Sequence, residues 1–233
     1  MKSQNSLAVV GVVLLGLGAL ASDASGAYIF EIDTDGLDDG ILTFNPNFSF
    51  GGDTTIASQS ATAPLVGATG GDSIFGGDGI NMPDTYLYTY NPGVEGDNLP
   101  LAPGTALGNG HLATGMAAGS AGRYRVYAGF PLTANVSGGL TTYDVSTLGD
   151  SFSVSIDQNS VFMPGDPTPW VLLGEIDYVS GAIDVSQSSV SNTFVSMRAY
   201  GLLFEPVPAP GATAMLALAG IAAGRRRRHV LDR

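Results

Sequence analysis

Between residues 28 and 205 the apolar residues fall in short runs, several of which alternate with polar ones. The runs are broken by Gly, Pro, Asn and Asp, and no segment keeps the three-to-four spacing of an amphipathic helix. Strands are predicted over 28–32, 41–44, 85–90, 123–130, 141–146, 152–157, 171–178, 182–186 and 194–204. The run Thr85-Tyr86-Leu87-Tyr88-Thr89-Tyr90 alternates cleanly and puts three tyrosines on one face. Val154 and Ile156 likewise share one side of their strand. Nine short strands spaced by turns, with no intervening helices, predict an all-β antiparallel β-sandwich. The Gly-, Ser-, Thr- and Ala-rich stretch 51–79 reads as a long loop holding short strands.

The two ends carry a different pattern. Residues 1–27 have the layout of a signal peptide: Lys2, an apolar stretch from Leu7 to Leu20, and small-residue cleavage sites ending at Ala21 and Ala27. Cleavage before Tyr28 is expected. At the other end, Val207-Pro208-Ala209-Pro210 precedes an apolar run from Gly211 to Gly224 and then Arg225-Arg226-Arg227-Arg228. Fourteen helical residues reach only about 21 Å, short of a hydrocarbon core of about 30 Å. The arginines would be held on the cytoplasmic side. The chain thus divides into 1–27, a sandwich domain over 28–206, and a tail over 207–233.

Composition sharpens this division. The chain of 233 residues has a formal net charge of −12, no cysteine, and 33 glycines without a period of three. Residues 28–206 hold only three basic residues, Arg123, Arg125 and Arg198, against nineteen acidic ones, a net charge of −16. So acidic a domain repels phosphate backbones, and no nucleic-acid partner is expected. Lack of cysteine excludes a disulfide framework, a thiolate metal site and a cysteine nucleophile.

Two resemblances give these patterns a context. The order proline-rich motif, short apolar segment, arginine cluster resembles the PEP-CTERM sorting signal of bacterial exported proteins, with Ala209 where the usual motif has Glu. That resemblance implies an exosortase-type processing enzyme as partner, transient membrane contact through a C-terminal helix, and delivery to the cell envelope or beyond. Within the domain, Tyr124-Arg125-Val126-Tyr127, Asp157-Gln158, Trp170-Val171-Leu172-Leu173-Gly174, Ile183-Asp184-Val185 and Leu203-Phe204-Glu205 follow one another over 120–205. This succession resembles the golvesin and xanthan-lyase carbohydrate-binding-like domain, a galactose-binding-like jelly roll. Where such domains carry an Ala-Asp-Ala step, this chain has Met197-Arg198-Ala199.

Candidate chemistry is sparse. Asp33, Asp35, Asp38 and Asp39 place four carboxylates within seven residues, hard oxygen ligands suited to a structural Ca²⁺, though Asp-Gly pairs also simply make turns. Gly70-Gly71-Asp72-Ser73-Ile74-Phe75-Gly76-Gly77-Asp78-Gly79 echoes calcium-binding β-rolls but has too few copies, and reads as a surface loop. Trp170 and the stripe Tyr86, Tyr88 and Tyr90 either stack on sugar rings or fill the core. Arg123 and Arg125 share a strand face, positioned for carboxylates or an acidic sugar. His111 is the one histidine of the domain, without a nucleophile elbow, and no phosphate, dinucleotide or zinc motif occurs. The expectation is a non-catalytic, exported, carbohydrate-binding-like β-sandwich acting at the cell surface or in extracellular polysaccharide. Its rivals are a structural envelope protein with protein partners only, and a polysaccharide-active hydrolase or lyase.

Overall fold

A computed structural model describes residues 27–52, 65–76, 84–96, 101–131, 139–161, 170–189 and 197–208. Thirteen strands and one helical turn lie among them: β1 (Tyr28–Glu31), β2 (Phe48–Gly51), β3 (Ile74–Gly76), β4 (Thr85–Tyr90), α1 (Pro92–Glu95), β5 (Ala106–Gly108), β6 (His111–Leu112), β7 (Gly122–Gly129), β8 (Leu140–Ser146), β9 (Ser151–Asp157), β10 (Val171–Tyr178), β11 (Ile183–Ser189), β12 (Met197–Ala199) and β13 (Gly201–Val207). Four strands form one sheet in the order β1-β13-β7-β10, and five form another in the order β2-β4-β11-β8-β9. Every pairing is antiparallel. The protein is an all-β sandwich.

Alternation decides which side of each sheet is dry. The inward residues of the five-stranded sheet, among them Tyr86, Tyr88, Tyr90, Tyr143, Val145, Ile183 and Val185, pack against Phe30, Tyr124, Val126, Ile176 and Phe204 of the four-stranded sheet. Rings meet across the gap: Phe30 lies edge-on to Tyr88 at 5.6 Å and Tyr90 tilts on Phe204 at 4.6 Å. The four-stranded sheet is covered on its outer side too. There Ile29, Tyr127, Leu203 and Trp170 form a second core beneath Leu65, Leu101 and Leu107. The β5–β6 hairpin supplies part of that cover. Its two-residue turn is Asn109-Gly110, both at positive φ, the backbone an Asn-Gly hairpin turn requires.

Three departures from the sequence pattern have local causes. The run at 41–44 is no strand: only an isolated bridge joins Asp33 to Phe44, and Ile41 is exposed. The Asp33 carboxylate accepts from the Thr43 N–H, a donor a ladder would use, and Asp35 accepts from the Thr43 hydroxyl. The strand comes later, as β2, after an Asn45 side-chain turn accepting from the Asn47 N–H. The run at 194–204 is split at Tyr200, whose carbonyl accepts from Ile32 and whose N–H donates to Gly129, so the chain passes there from the β3–β12 pair into the larger sheet. Residues 70–76 are not a surface loop: Asp72, Ser73 and Ile74 are buried and β3 pairs with β12.

The tails lie mostly elsewhere. Val207, expected at the start of the sorting segment, is the last residue of β13, opposite Arg123, and Pro208 follows it exposed. Ala209, Pro210 and Arg225 to Arg228, like residues 1–26, lie outside the described residues. Among the described residues no helix is long and apolar enough to cross a membrane.

Candidate functional site

The acidic cluster fastens loops. Asp33 is buried, and its two oxygens accept from the N–H groups of Thr43 (2.8 Å) and Asp72 (3.0 Å). Asp72, buried in turn, accepts from Gly40 at 2.9 Å. Asp35 accepts from the Leu37 N–H and the Thr43 hydroxyl, hydrogen bonds that hold its carboxyl below the usual range, and Asp39 accepts from Ile41. Glu31 completes the knot, accepting from the Thr69 N–H and hydroxyl and from the Tyr200 hydroxyl. Among the described residues no three His, Cys, Asp or Glu side chains are grouped so as to hold a metal ion. The expected calcium ligands Asp33, Asp35, Asp38 and Asp39 therefore do not form a convergent site there. Asp33 and Asp35 instead secure turns against the sheet.

The aromatic candidates are inside. Trp170, Tyr86, Tyr88 and Tyr90 are each at most 1% exposed, so none presents a ring face to a sugar. Trp170 belongs to the outer core, its indole N–H donating to the Val66 carbonyl at 3.0 Å. The tyrosine stripe keeps the alternation read from the sequence but faces the sandwich interior. Burial drives the Tyr88 hydroxyl far from ionisation, and it donates to Gln187 at 2.9 Å.

With the tyrosines turned inward, their alternate neighbours form the outer face of the five-stranded sheet. Strand register arranges them in rows. Thr85, Ser188, Thr142 and Ser155 lie opposite one another in one row. The next holds Ser49, Leu87, Ser186, Asp144 and Ser153. The third holds Thr89, Asp184, Ser146 and Ser151. All are exposed or half-buried. Neighbouring strands are about 4.8 Å apart and successive outward residues about 6.8 Å, so the rows make a shallow lattice of short hydroxyls. Thr89 donates to Asp184 at 2.7 Å, and the Thr142 and Ser155 hydroxyls share a hydrogen bond at 2.8 Å. Asp144 and Asp184 flank Ser186, and Leu87 is the one apolar side chain within the rows.

The outer face of the four-stranded sheet carries the charges. Glu205, Arg125 and Glu175 stand in one cross-strand row, with Val207, Arg123 and Asp177 in the next. Arg125 reaches Glu175 at 3.1 Å and Glu205 at 3.9 Å. Glu205 is buried, which pushes its carboxyl above the usual range. The Thr114 N–H (2.6 Å), the Tyr127 hydroxyl (3.1 Å) and Arg125 pull the other way. With both oxygens engaged, it ties the 111–116 segment to the sheet. Arg123 grips Asp177 with Nε at 2.8 Å and Nη2 at 3.1 Å, and those bonds hold the Asp177 carboxyl below its ordinary range. A depressed carboxyl adds stability above its unfolded pKa and loses it as pH falls through the folded one. Arg123→Gln is expected to raise the Asp177 titration midpoint toward an ordinary carboxylate, read by carboxyl-carbon NMR. An unchanged midpoint would remove Arg123 as the cause.

No protein-family model matches the chain, and no curated protein matches it. Among solved structures, a carbohydrate-binding module (TmCBM61, in complex with β-1,4-galactotriose) is similar at 16% identity and a TM-score of 0.31, covering 75% of this chain and 92% of that one.

Sequence reasoning missed the hydroxyl lattice, although its signal was present. Ser153 and Ser155 alternate with Phe152, Val154 and Ile156, and Asp184, Ser186 and Ser188 with Ile183, Val185 and Gln187. The pairing of those strands is what assembles the rows. His111, the one histidine of the domain, lies edge-on to the Tyr127 ring at 6.0 Å as part of the outer cover.

Proposed function

We propose that the protein is an exported, non-catalytic binding module that attaches neutral extracellular polysaccharide along the outer face of its five-stranded sheet. The observation that carries this reading is the set of in-register, uncovered hydroxyl rows. Sugar hydroxyls donate and accept, as Ser and Thr hydroxyls do, so an extended chain lying across the rows exchanges hydrogen bonds with several strands at once. Asp144 and Asp184 would each accept from a sugar hydroxyl through stronger, charge-assisted bonds. Leu87 would take the apolar C–H side of a ring. The acidity of residues 28–206 favours a neutral ligand over a polyanion. Export rests on the signal-like segment 1–27 and the PEP-CTERM-like segment 207–233. Glu205, raised by burial, has both oxygens engaged by protein donors, which supports a binding role over hydrolysis.

The test is retention of the full chain on a panel of insoluble neutral and acidic polysaccharides, comparing the parent with the double variant Asp144→Ala/Asp184→Ala. Hydrogen bonds to charged groups contribute about 1.5–3 kcal/mol, so losing two is expected to weaken binding to a neutral glycan by at least about tenfold. The melting temperature should stay close to that of the parent, because both side chains are exposed. Equal retention of parent and variant would move the site off this face. Retention of no glycan, with capture of an envelope protein instead, would favour the structural-matrix rival.

A further inference from the structure

The chain enters and leaves the sandwich at one pole. β1 begins there and β13 ends there, since Tyr28 pairs with Phe204, and Val207 pairs with Arg123 next to the Tyr178–Gly122 pair. The same pole carries α1, the 147–150 turn between β8 and β9, and the 179–182 turn between β10 and β11. The turns are tied to one another. The Thr147 hydroxyl donates to the Asp177 carbonyl at 3.0 Å, and the Asp177 N–H donates to Asp150 at 2.9 Å. A Cβ at Gly93 would lie 3.9 Å from the Tyr178 hydroxyl. Below them a floor of rings closes the sandwich: Tyr28 stacks on Tyr90 at 4.2 Å, and Tyr124 meets Tyr178 edge-on at 5.8 Å.

Each of these three turns lifts one aliphatic side chain into solvent: Val94 at 87% exposure, Leu148 at 85% and Val179 at 75%. Scattered exposed aliphatics need no explanation, but here three tips stand on one pole. The apolar stretch 211–224 follows the domain from this pole, where β13 ends. Pro208 to Gly211 spans about 10 Å at most, so a bilayer holding 211–224 must lie against the pole.

We infer that this pole seats on a lipid bilayer, with Val94, Leu148 and Val179 entering the interface as a tripod while 211–224 is embedded. Asp150 and Asp177 sit exposed among the tips, with Arg123 the one basic side chain of the adjoining row, so the lipid surface this pole fits is zwitterionic rather than anionic. Seated this way, the strands run away from the membrane, and the hydroxyl face rises from it with the Ser146–Ser151 row nearest the bilayer.

The absence of cysteine permits single-site labelling. Val94→Cys, Leu148→Cys and Val179→Cys full-length chains, each carrying an environment-sensitive dye, are reconstituted into phosphatidylcholine vesicles with and without brominated lipid. Leu140→Cys, a leucine 45% exposed at the opposite pole, is the reference. Dyes at the three tips should shift to shorter emission wavelength on reconstitution and be quenched by the brominated lipid, while the dye at 140 does neither. Tip dyes that behave like the one at 140 would overturn the proposal, as would a chain that fails to associate with the vesicles. Dye–dye self-quenching at the tips without lipid would also overturn it, making the pole an interface between two copies.

Discussion

Trp170→Ala is expected to cost about 3–5 kcal/mol of folding stability, the range for deleting a buried Trp or Phe side chain, and to leave glycan retention intact in whatever fraction stays folded. The ring is wholly buried in the outer core. A Cβ added at Gly129 would stand 2.7 Å from Trp170 Cζ3 and 2.2 Å from Leu65 Cδ1, so the indole fills its space to contact. Truncation leaves a cavity roofed by the 65–68 loop and the β5–β6 hairpin, and removes the donor to the Val66 carbonyl. The hairpin itself is held through the Trp170 N–H, which donates to the Leu107 carbonyl at 2.8 Å, a bond alanine keeps. Domain stabilities of about 5–15 kcal/mol make this loss a large fraction of the whole. Urea unfolding followed by far-ultraviolet circular dichroism measures it. A loss below about 1 kcal/mol together with abolished glycan binding would make Trp170 a binding platform after all.

The reach and limit of the sequence show in particular residues. Alternation at 85–90 placed Tyr86, Tyr88 and Tyr90 on one face because period two is a local property of an extended chain. It left open whether that face is the interior, which depends on the four-stranded sheet packing over it with Phe30, Tyr124 and Phe204, residues distant in sequence. The hydroxyl lattice has the same character: each strand writes one column, and only non-local register writes the rows. The acidic cluster shows a related limit. Asp33, Asp35, Asp38 and Asp39 are neighbours in sequence, but backbone N–H groups near and far and the Thr43 hydroxyl claim the Asp33 and Asp35 oxygens. Buried charges are the least legible. Glu205 and Arg198 read as surface residues by type; Glu205 is buried with the 111–116 segment, and Arg198 with Pro131 and Asn159 on its guanidinium and the glutamines of β11 and the β9 terminus on its backbone.

Those glutamines carry the second large effect. Arg198, in the central position of β12, is 1% exposed, and burial lowers its guanidinium pKa. Its side chain donates to the Pro131 carbonyl and to Asn159, each at 2.7 Å, and lies over the Phe130 ring at 5.7 Å. What fixes the strand there is the side-chain amide of Gln158. Its Oε1 accepts from the Arg198 N–H at 2.8 Å, and its Nε2 donates to the Arg198 carbonyl at 2.8 Å and to the Tyr143 hydroxyl at 2.9 Å. An amide that both accepts from and donates to one residue's backbone imitates a neighbouring strand. Gln187 donates to the same Arg198 carbonyl at 2.9 Å and accepts from Tyr88. Gln158→Leu therefore strips the acceptor from a buried N–H and the partner from a buried tyrosine hydroxyl, each costing about 1–3 kcal/mol. A total loss of about 2–6 kcal/mol is expected in urea unfolding. Gln187→Leu should cost less, because the Arg198 carbonyl keeps Gln158 and only the Tyr88 hydroxyl loses its acceptor. Equal losses, or the reverse order, would show that Gln158 does not act as the clamp on β12.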